Sequence, residues 1–283
     1  MPSSSASSRH GKDRVPVSLA LAPVAAPVAP ARPASPRVAE LLVHDLAVAY
    51  GAAPPIFTGV GFAVGRSERV ALIGANGAGK STLLRSCLGF VAPLSGEILL
   101  FGRRVGEGKP GVRRALRGDV GFVAQKHNLV PRLSVLSNVV HGTLAEASGP
   151  RRWLQGLAPK AVRERAFAAL DVVGLADLAL RRADALSGGQ SQRVAIARAL
   201  VAEPRLMLAD EPAASLDPAA GEEVMGVFAK VSRDTGTTLI FTTHHLDHAL
   251  RHADRVIGLA GGRLRLDAPA ATLALDSLHG LYG

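Results

Sequence analysis

The stretch Gly74-Ala75-Asn76-Gly77-Ala78-Gly79-Lys80-Ser81 restricts the fold of this chain more than any other. It joins the apolar run Arg69 to Ile73 to a segment of helical periodicity at about 80–89. Glycines at 74, 77 and 79 let successive backbone N–H groups converge on one point, where they cradle the oxygens of a phosphate. The pattern G-x-x-x-x-G-K-[ST], after a strand and before a helix, is the arrangement that such a cradle needs. Lys80 adds a charge for the outer phosphates, and the Ser81 hydroxyl can ligate Mg²⁺. A glycine-rich turn of purely structural origin would need neither side chain.

Further strands are predicted over 41–48, 56–64, 96–100, 120–123, 206–209 and 238–241. Helical stretches fall at about 134–146, 160–173, 189–202, 218–233 and 246–252. Apolar strands alternating with helices make an α/β fold on a parallel sheet. The block from about 126 to 202 is mostly helical and reads as an inserted subdomain. No internal repeat is visible, so one unit is expected over 39–283.

Residues 1–38 have a different texture, Ser-rich and then Ala/Pro/Val-rich, with prolines at 16, 23, 27, 30, 33 and 36. That density opposes helix and central strand, so a disordered tail is expected. Basic residues do precede Val17-Ser18-Leu19-Ala20-Leu21-Ala22 as in a signal peptide, but Pro23 breaks the short apolar run. No apolar run in the chain reaches the ~18–20 residues of a membrane helix. The lone cysteine, Cys87, excludes an intramolecular disulfide, fits a reducing compartment and is expected as a small buried hydrophobe.

The net charge is +10. Five basic residues against Asp13 account for part of it before Val38, and the rest is scattered in pairs such as Arg103-Arg104 and Arg181-Arg182. No basic stripe interleaved with aromatics appears, so nucleic acid is not an expected partner. A nucleotide-handling or membrane-adjacent surface accounts for the excess equally well.

Leu206 to Ala209 runs into Asp210-Glu211. Acids at the carboxyl end of a parallel strand face the crevice where ligands bind. There Asp210 would hold Mg²⁺ and Glu211 would act as general base on the attacking water. Leu186-Ser187-Gly188-Gly189-Gln190 opens another helix. A capping box accounts for Ser187 and Gln190 but leaves two glycines, each costing roughly 1 kcal/mol in a helix interior, without a reason. Bare N–H groups at a helix start supply one, as an anion site. Gln125 and His244 each follow a strand. His244, His248 and His252 are four apart, a metal face only if all three lie on one helix. Tyr50 is either a core aromatic or a platform for a base.

In this order, Tyr50, Gly74–Thr82, Gln125, Leu186–Gln190, Asp210-Glu211, Ala214-Ser215-Leu216-Asp217 and His244 resemble the ATP-binding subunit of ABC transporters over about 40–265. The resemblance implies a P-loop NTPase fold of the ABC nucleotide-binding type, with a small antiparallel β subdomain beside the helical one. It implies ATP and Mg²⁺ as ligands, with Tyr50 on adenine and Gly74, Ala75, Asn76, Gly77, Ala78, Gly79, Lys80, Ser81 and Thr82 around the phosphates. Ser81, Gln125 and Asp210 would serve the metal, and His244 would contact the γ-phosphate. Ser187, Gly188, Gly189 and Gln190 would close on a nucleotide held by the opposite subunit of a homodimer, with Asp217 at that interface. Integral-membrane permease subunits, and indirectly an extracytoplasmic substrate-binding protein, are the implied partners, which places the chain peripherally at the cytoplasmic face of the membrane. Ala75 and Ser191 depart from common family residues without touching the motifs.

The segment His127 to Gly142, continued through Arg151-Arg152-Trp153-Leu154, is similar to the ATP-binding subunits of phosphonate importers. So are Leu208 to Pro218 and Asp247 to Arg251. Part of this texture occurs across importers and exporters. Import of polar amino acids or another small anion is the alternative cargo, and a soluble ABC ATPase outside transport is the alternative class.

Overall fold

A computed structural model describes residues 39–146, 155–275 and 278. The expectations for 1–38 and for Arg151 to Leu154 lie outside the described residues. Two sheets organise the rest. A four-stranded antiparallel sheet is built from β1 (Leu41–Val48), β2 (Phe57–Val64), β4 (Ser95–Leu100) and β5 (Arg103–Arg104), in the order β2-β1-β4-β5. A six-stranded sheet contains β3 (Arg69–Ile73), β6 (Val120–Val123), β7 (Leu206–Ala209), β8 (Thr238–Thr242), β9 (Arg255–Ala260) and β10 (Arg263–Pro269), in the order β10-β9-β3-β8-β7-β6. Only β10 runs antiparallel to its neighbour.

Strand periodicity explains why these runs are apolar on both faces. In β3, Val70 and Leu72 join one core while Ala71 and Ile73 join the other. In β7, Leu206 and Leu208 face the first and Met207 and Ala209 the second. Side chains alternate across a strand, so a sheet covered on both sides needs apolar residues at every position. The first core lies against the antiparallel sheet and α1 (Lys80–Cys87), and Cys87 is packed into it. Burial pushes the Cys87 thiol up to about 12, so it stays protonated.

The second core lies under α3 (Val135–Val140), α4 (Lys160–Val172), α5 (Gly188–Leu200), α6 (Pro218–Thr235) and α7 (Leu246–His252). α2 (Pro110–Gly118) lies apart, ahead of β6. Between β6 and β7 the described residues form helices and 3-10 turns without a strand. α5 closes against the sheet: Val194, Ala195 and Ile196 share the second core with Met207 and Ala209.

Several elements depart from the expected pattern. α2 was not expected, because Pro110, Gly111 and Gly118 mask its period; Pro110 sits in the first turn, where a missing N–H costs nothing. The helix expected at 134–146 ends at Val140 and continues as a 3-10 turn over His141–Ala145. β9 and β10 were also unforeseen. They are joined by Gly261-Gly262, both at positive φ, a two-residue hairpin that favours two glycines.

α7 begins at Leu246, so His244 precedes the helix, and no group of three metal-ligating residues forms among the described residues. His248 and His252 instead face Glu222 of α6, at 3.7 and 3.1 Å. Burial holds His245, His248 and His252 below the ordinary imidazole value. The unfolded chain therefore binds protons that these rings refuse when folded. Their contribution is complete above about pH 6.5 and is lost as pH falls through that value.

The melting temperature declines as pH falls from 7.5 to 5.5, and the double substitution His248→Gln, His252→Gln flattens that decline in a calorimetric series. A Cβ on Gly142 would fall 1.9 Å from the Arg198 carbonyl oxygen, whereas one on Gly226 within α6 meets nothing within 4 Å. Gly142→Ala destabilises the fold by about 1–3 kcal/mol, and Gly226→Ala stabilises it by about 0.5–1 kcal/mol, in urea unfolding.

Candidate active site

β3 delivers the glycine-rich loop. At Gly74, φ is 150° and a Cβ would fall 2.3 Å from the carbonyl oxygen of Leu259 in β9. Gly79 sits at φ 98°, and a Cβ there would meet Ile56 at 2.8 Å and Phe57 at 2.9 Å. Both positions exclude any larger residue, so packing as well as turn geometry demands these glycines. α1 then opens at Lys80 with no side-chain cap. Its first-turn N–H groups have no helical acceptor, which suits an anion.

Lys80 is buried, 4% exposed. Its ammonium donates to the carbonyl oxygens of Gly74 at 2.8 Å and Ala75 at 3.3 Å, and it lies 3.6 Å from Glu211 Oε1. A desolvated cation needs such acceptors, and here they curve the loop around its charge. Tyr50 reaches the same place: its hydroxyl is 3.4 Å from that of Thr82, and the residue is 49% exposed. That exposure removes the core-aromatic reading of Tyr50.

Asp210 is the junction of the site. Its Oδ1 accepts from the Ser81 hydroxyl at 2.8 Å and from the Thr242 hydroxyl at 2.9 Å, while its backbone N–H donates to Val123 O at 2.8 Å. One carboxylate thus ties α1, β6, β7 and β8 together. The pair Ser81 Oγ and Asp210 Oδ1 offers the hard oxygen donors that a divalent cation such as Mg²⁺ takes. Glu211, the next residue, sits at φ 46°, a left-handed conformation that costs a non-glycine residue about 1–2 kcal/mol. Its N–H donates to the Thr242 hydroxyl at 2.8 Å. The carboxylate is thereby turned between Lys80 and His244, whose Nδ1 is 3.5 Å from Glu211 Oε2.

Gln125 stands two residues beyond Val123, at the end of β6, and is exposed. Two residues absent from the sequence reading also shape this region. Thr242 orients both acids, yet a threonine at the end of a buried strand carries no sequence signal. Arg198, on α5, donates to the carbonyl oxygens of Asn128 at 2.8 Å and His127 at 2.7 Å. It holds the chain just beyond Gln125, and burial lowers its pKa. Only the fold brings residues 70 positions apart into that contact.

The Ser187–Gln190 segment is built differently. The Ser187 hydroxyl accepts from Gln190 N–H at 3.3 Å, and Gln190 Oε1 accepts from Ser187 N–H at 3.0 Å, a complete capping box. Both glycines pack beside the start of α6: a Cβ on Gly188 would lie 3.2 Å from Leu216, and one on Gly189 would lie 3.4 Å from Ala220. Asp217 caps α6, accepting from Ala220 N–H at 3.0 Å. Ser187, Gly188 and Asp217 are exposed together on one surface, with the box using no atom of the phosphate loop.

Comparison with known proteins agrees with this geometry. The family model described as ABC transporter matches residues 57–214. The chain is 48% identical over 246 residues to the phosphonates import ATP-binding protein PhnC of Nocardia farcinica, covering 86% of this chain and 91% of that protein. It is also 48% identical over 219 residues to the phosphate-import ATP-binding protein PhnC of Mycolicibacterium smegmatis, covering 77% and 83%. Among solved structures, cbiO1 from Clostridium perfringens, part of the cbiONQ ABC transporter complex, superposes with a TM-score of 0.72 at 30% identity, covering 83% of this chain and 90% of that one. A dimeric ATP-binding cassette in a post-hydrolysis state with ADP and phosphate superposes at 0.70 and 28%, covering 81% and 98%. With more than half of the chain matched by the family model and nearly half of its residues shared with relatives over most of its length, the chain belongs to the ABC transporter family, as its ATP-binding and ATP-hydrolysing subunit.

Proposed function

We propose that this chain powers a phosphonate importer from the cytoplasmic face of the membrane, as a homodimer bound to permease subunits that an extracytoplasmic binding protein supplies. The observation that carries the cargo is its 48% identity, over most of both chains, to a relative named for phosphonate import. The described residues contain no helix long and apolar enough to cross a membrane, so the translocation path belongs to the partner. Val130 and Leu180 expose apolar side chains on either side of the Ser134–Arg182 bridge, within the helical block and close to the segment that Arg198 holds. That surface suits a permease contact. A second cargo, inorganic phosphate, is favoured by the equally similar relative from Mycolicibacterium smegmatis. Both are tetrahedral phosphorus oxyanions.

In the proposed mechanism Tyr50 stacks on adenine, and residues 74–82 surround the phosphates. Ser81, Asp210 and Gln125 would hold Mg²⁺, which would supply charge neutralisation there. Lys80 exchanges its carbonyl and carboxylate contacts for phosphate oxygens. Glu211 then accepts the proton of the attacking water, with His244 positioned at the γ-phosphate. Ser187, Gly188, Gly189 and Gln190 close over the nucleotide of the opposite subunit, beside Asp217. The capping box leaves the helix start rigid and exposed for that purpose. Closure moves the helical block of about 126–202, and Arg198 carries its motion to the segment after Gln125.

Glu211→Gln keeps ATP binding, lowers turnover at least about a hundredfold and traps the dimer on size-exclusion chromatography. Ser187→Arg leaves ATP affinity of the isolated subunit within about twofold while abolishing turnover. A collapse of affinity would instead put the signature in the subunit's own pocket. Deletion of the gene abolishes growth on an alkylphosphonate as sole phosphorus source and spares growth on limiting phosphate. The opposite pattern would establish phosphate as the cargo.

A further inference from the structure

Four imidazoles lie in a continuous row beside Glu211. The ring centres of His244 and His245 are 4.2 Å apart, those of His245 and His248 5.1 Å, and those of His248 and His252 6.1 Å. The row runs between two carboxylates. At one end His244 Nδ1 is 3.5 Å from Glu211 Oε2. At the other, Glu222 of α6 gathers His248 at 3.7 Å, Arg251 at 2.9 Å and His252 at 3.1 Å from one face of α7.

His244 is placed by packing rather than by hydrogen bonds. Its Nδ1 is buried without a hydrogen-bond partner among the described residues, and the 3.5 Å to Glu211 exceeds the roughly 2.7–3.2 Å of a good bond. The ring it packs on is His245, tilted by 38°. His245 precedes α7 at the cap position, yet its imidazole makes no cap bond and is exposed. The backbone there is fixed independently of the ring. Its N–H donates to the Thr243 hydroxyl at 3.0 Å, and its carbonyl accepts from Ala249 N–H at 3.3 Å.

Charge on one ring is felt by the next. Burial, and then His244, hold His245 below the ordinary imidazole value, while Glu211 and Asp247 pull the other way. Burial, and then His245, do the same to His248, with His252 and Arg251 adding to them and Glu222 opposing. Arg233 of α6 also faces His252. Of the other elements against α7, β3 carries only Arg69, which is paired with Asp254, and the turn Ala270–Thr272 carries no charge. A neutral row therefore packs, whereas a protonated one repels itself.

We propose that His245 is a positioning residue for His244. Its neutral ring, backed by His248 and Glu222, holds the His244 imidazole toward the γ-phosphate, and protonation of His245 releases it. This rests on the reading of His244 given above.

The test is ATP hydrolysis by the full chain, with kcat and KM followed from about pH 7.5 to 5.5. His245→Ala lowers kcat about tenfold at the upper pH and leaves KM for ATP within about twofold. His245→Phe keeps a ring that cannot charge, so it restores kcat to within about twofold of the parent chain. The ratio of its kcat to that of the parent rises about threefold or more toward the lower pH. Glu211 and His244 are present in both proteins, so the ratio reads residue 245. Undiminished kcat in His245→Ala, no rescue by His245→Phe, or a flat ratio would overturn the assignment. His244→Ala, measured alongside, abolishes turnover at every pH. Retained turnover there would overturn the reading of His244 and the proposal with it; an inactive His244→Ala beside indifferent His245 variants overturns the proposal alone.

Discussion

The Asp210 carboxylate is the contact on which the nucleotide edge of this molecule depends. A single oxygen accepts the hydroxyls of Ser81, at the start of α1, and Thr242, at the end of β8. The carboxylate is nearly inaccessible to solvent, so both bonds form where water does not compete. Thr242 also accepts the Glu211 N–H, which supports the left-handed backbone at that residue. Displacing either hydroxyl would leave a buried anion short of a donor and would release the conformation that aims Glu211 at Lys80. The glycine-rich loop and the two acids that follow β7 are thus set by one local arrangement.

That arrangement needs a sheet whose strand ends do not shift. The register β3–β8–β7–β6 is continuous and parallel, with both faces closed by separate cores. The antiparallel sheet is fastened to the same frame by ion pairs at its edges. Arg255 of β9 binds Asp267 and Glu68 together with the Ala63 carbonyl, and Glu40 binds Arg205. Burial of Asp267 and Glu40 makes these pairs more than surface decoration, since an orphaned partner would remain desolvated. The aliphatic cores supply most of the cohesion through area removed from water.

The contacts of Leu186 to Gln190 realise the capping-box reading and give its two glycines a packing reason. A capping box orders the first turn of α5, and the glycines lie against Leu216 and Ala220 without projecting side chains of their own. The same helix carries Arg198 near its far end, bonded to the backbone just beyond Gln125. This helix of 13 residues, about 20 Å long, therefore has an exposed glycine-bearing start and a clamp on the segment just beyond Gln125. Its stiffness makes it a fit element for carrying motion between those ends.

What was legible in the sequence alone is what depends on neighbours along the chain. The phosphate loop, the acidic strand end, the capping box and the alternation of strands and helices each spend their information within about ten residues, where spacing dictates geometry. β9 and β10 pair with each other across Gly261-Gly262, a local signal that the sequence reading passed over, and α2 escaped because proline and glycine blur its period. Thr242, the Arg198 clamp and the hold of Glu222 on α7 were decided only by the tertiary structure. Each joins groups from separate elements, across 32 residues between Asp210 and Thr242 and 70 between Arg198 and Asn128. No local propensity encodes such contacts; they arise when buried strands and helices fix distant polar groups at bonding distance.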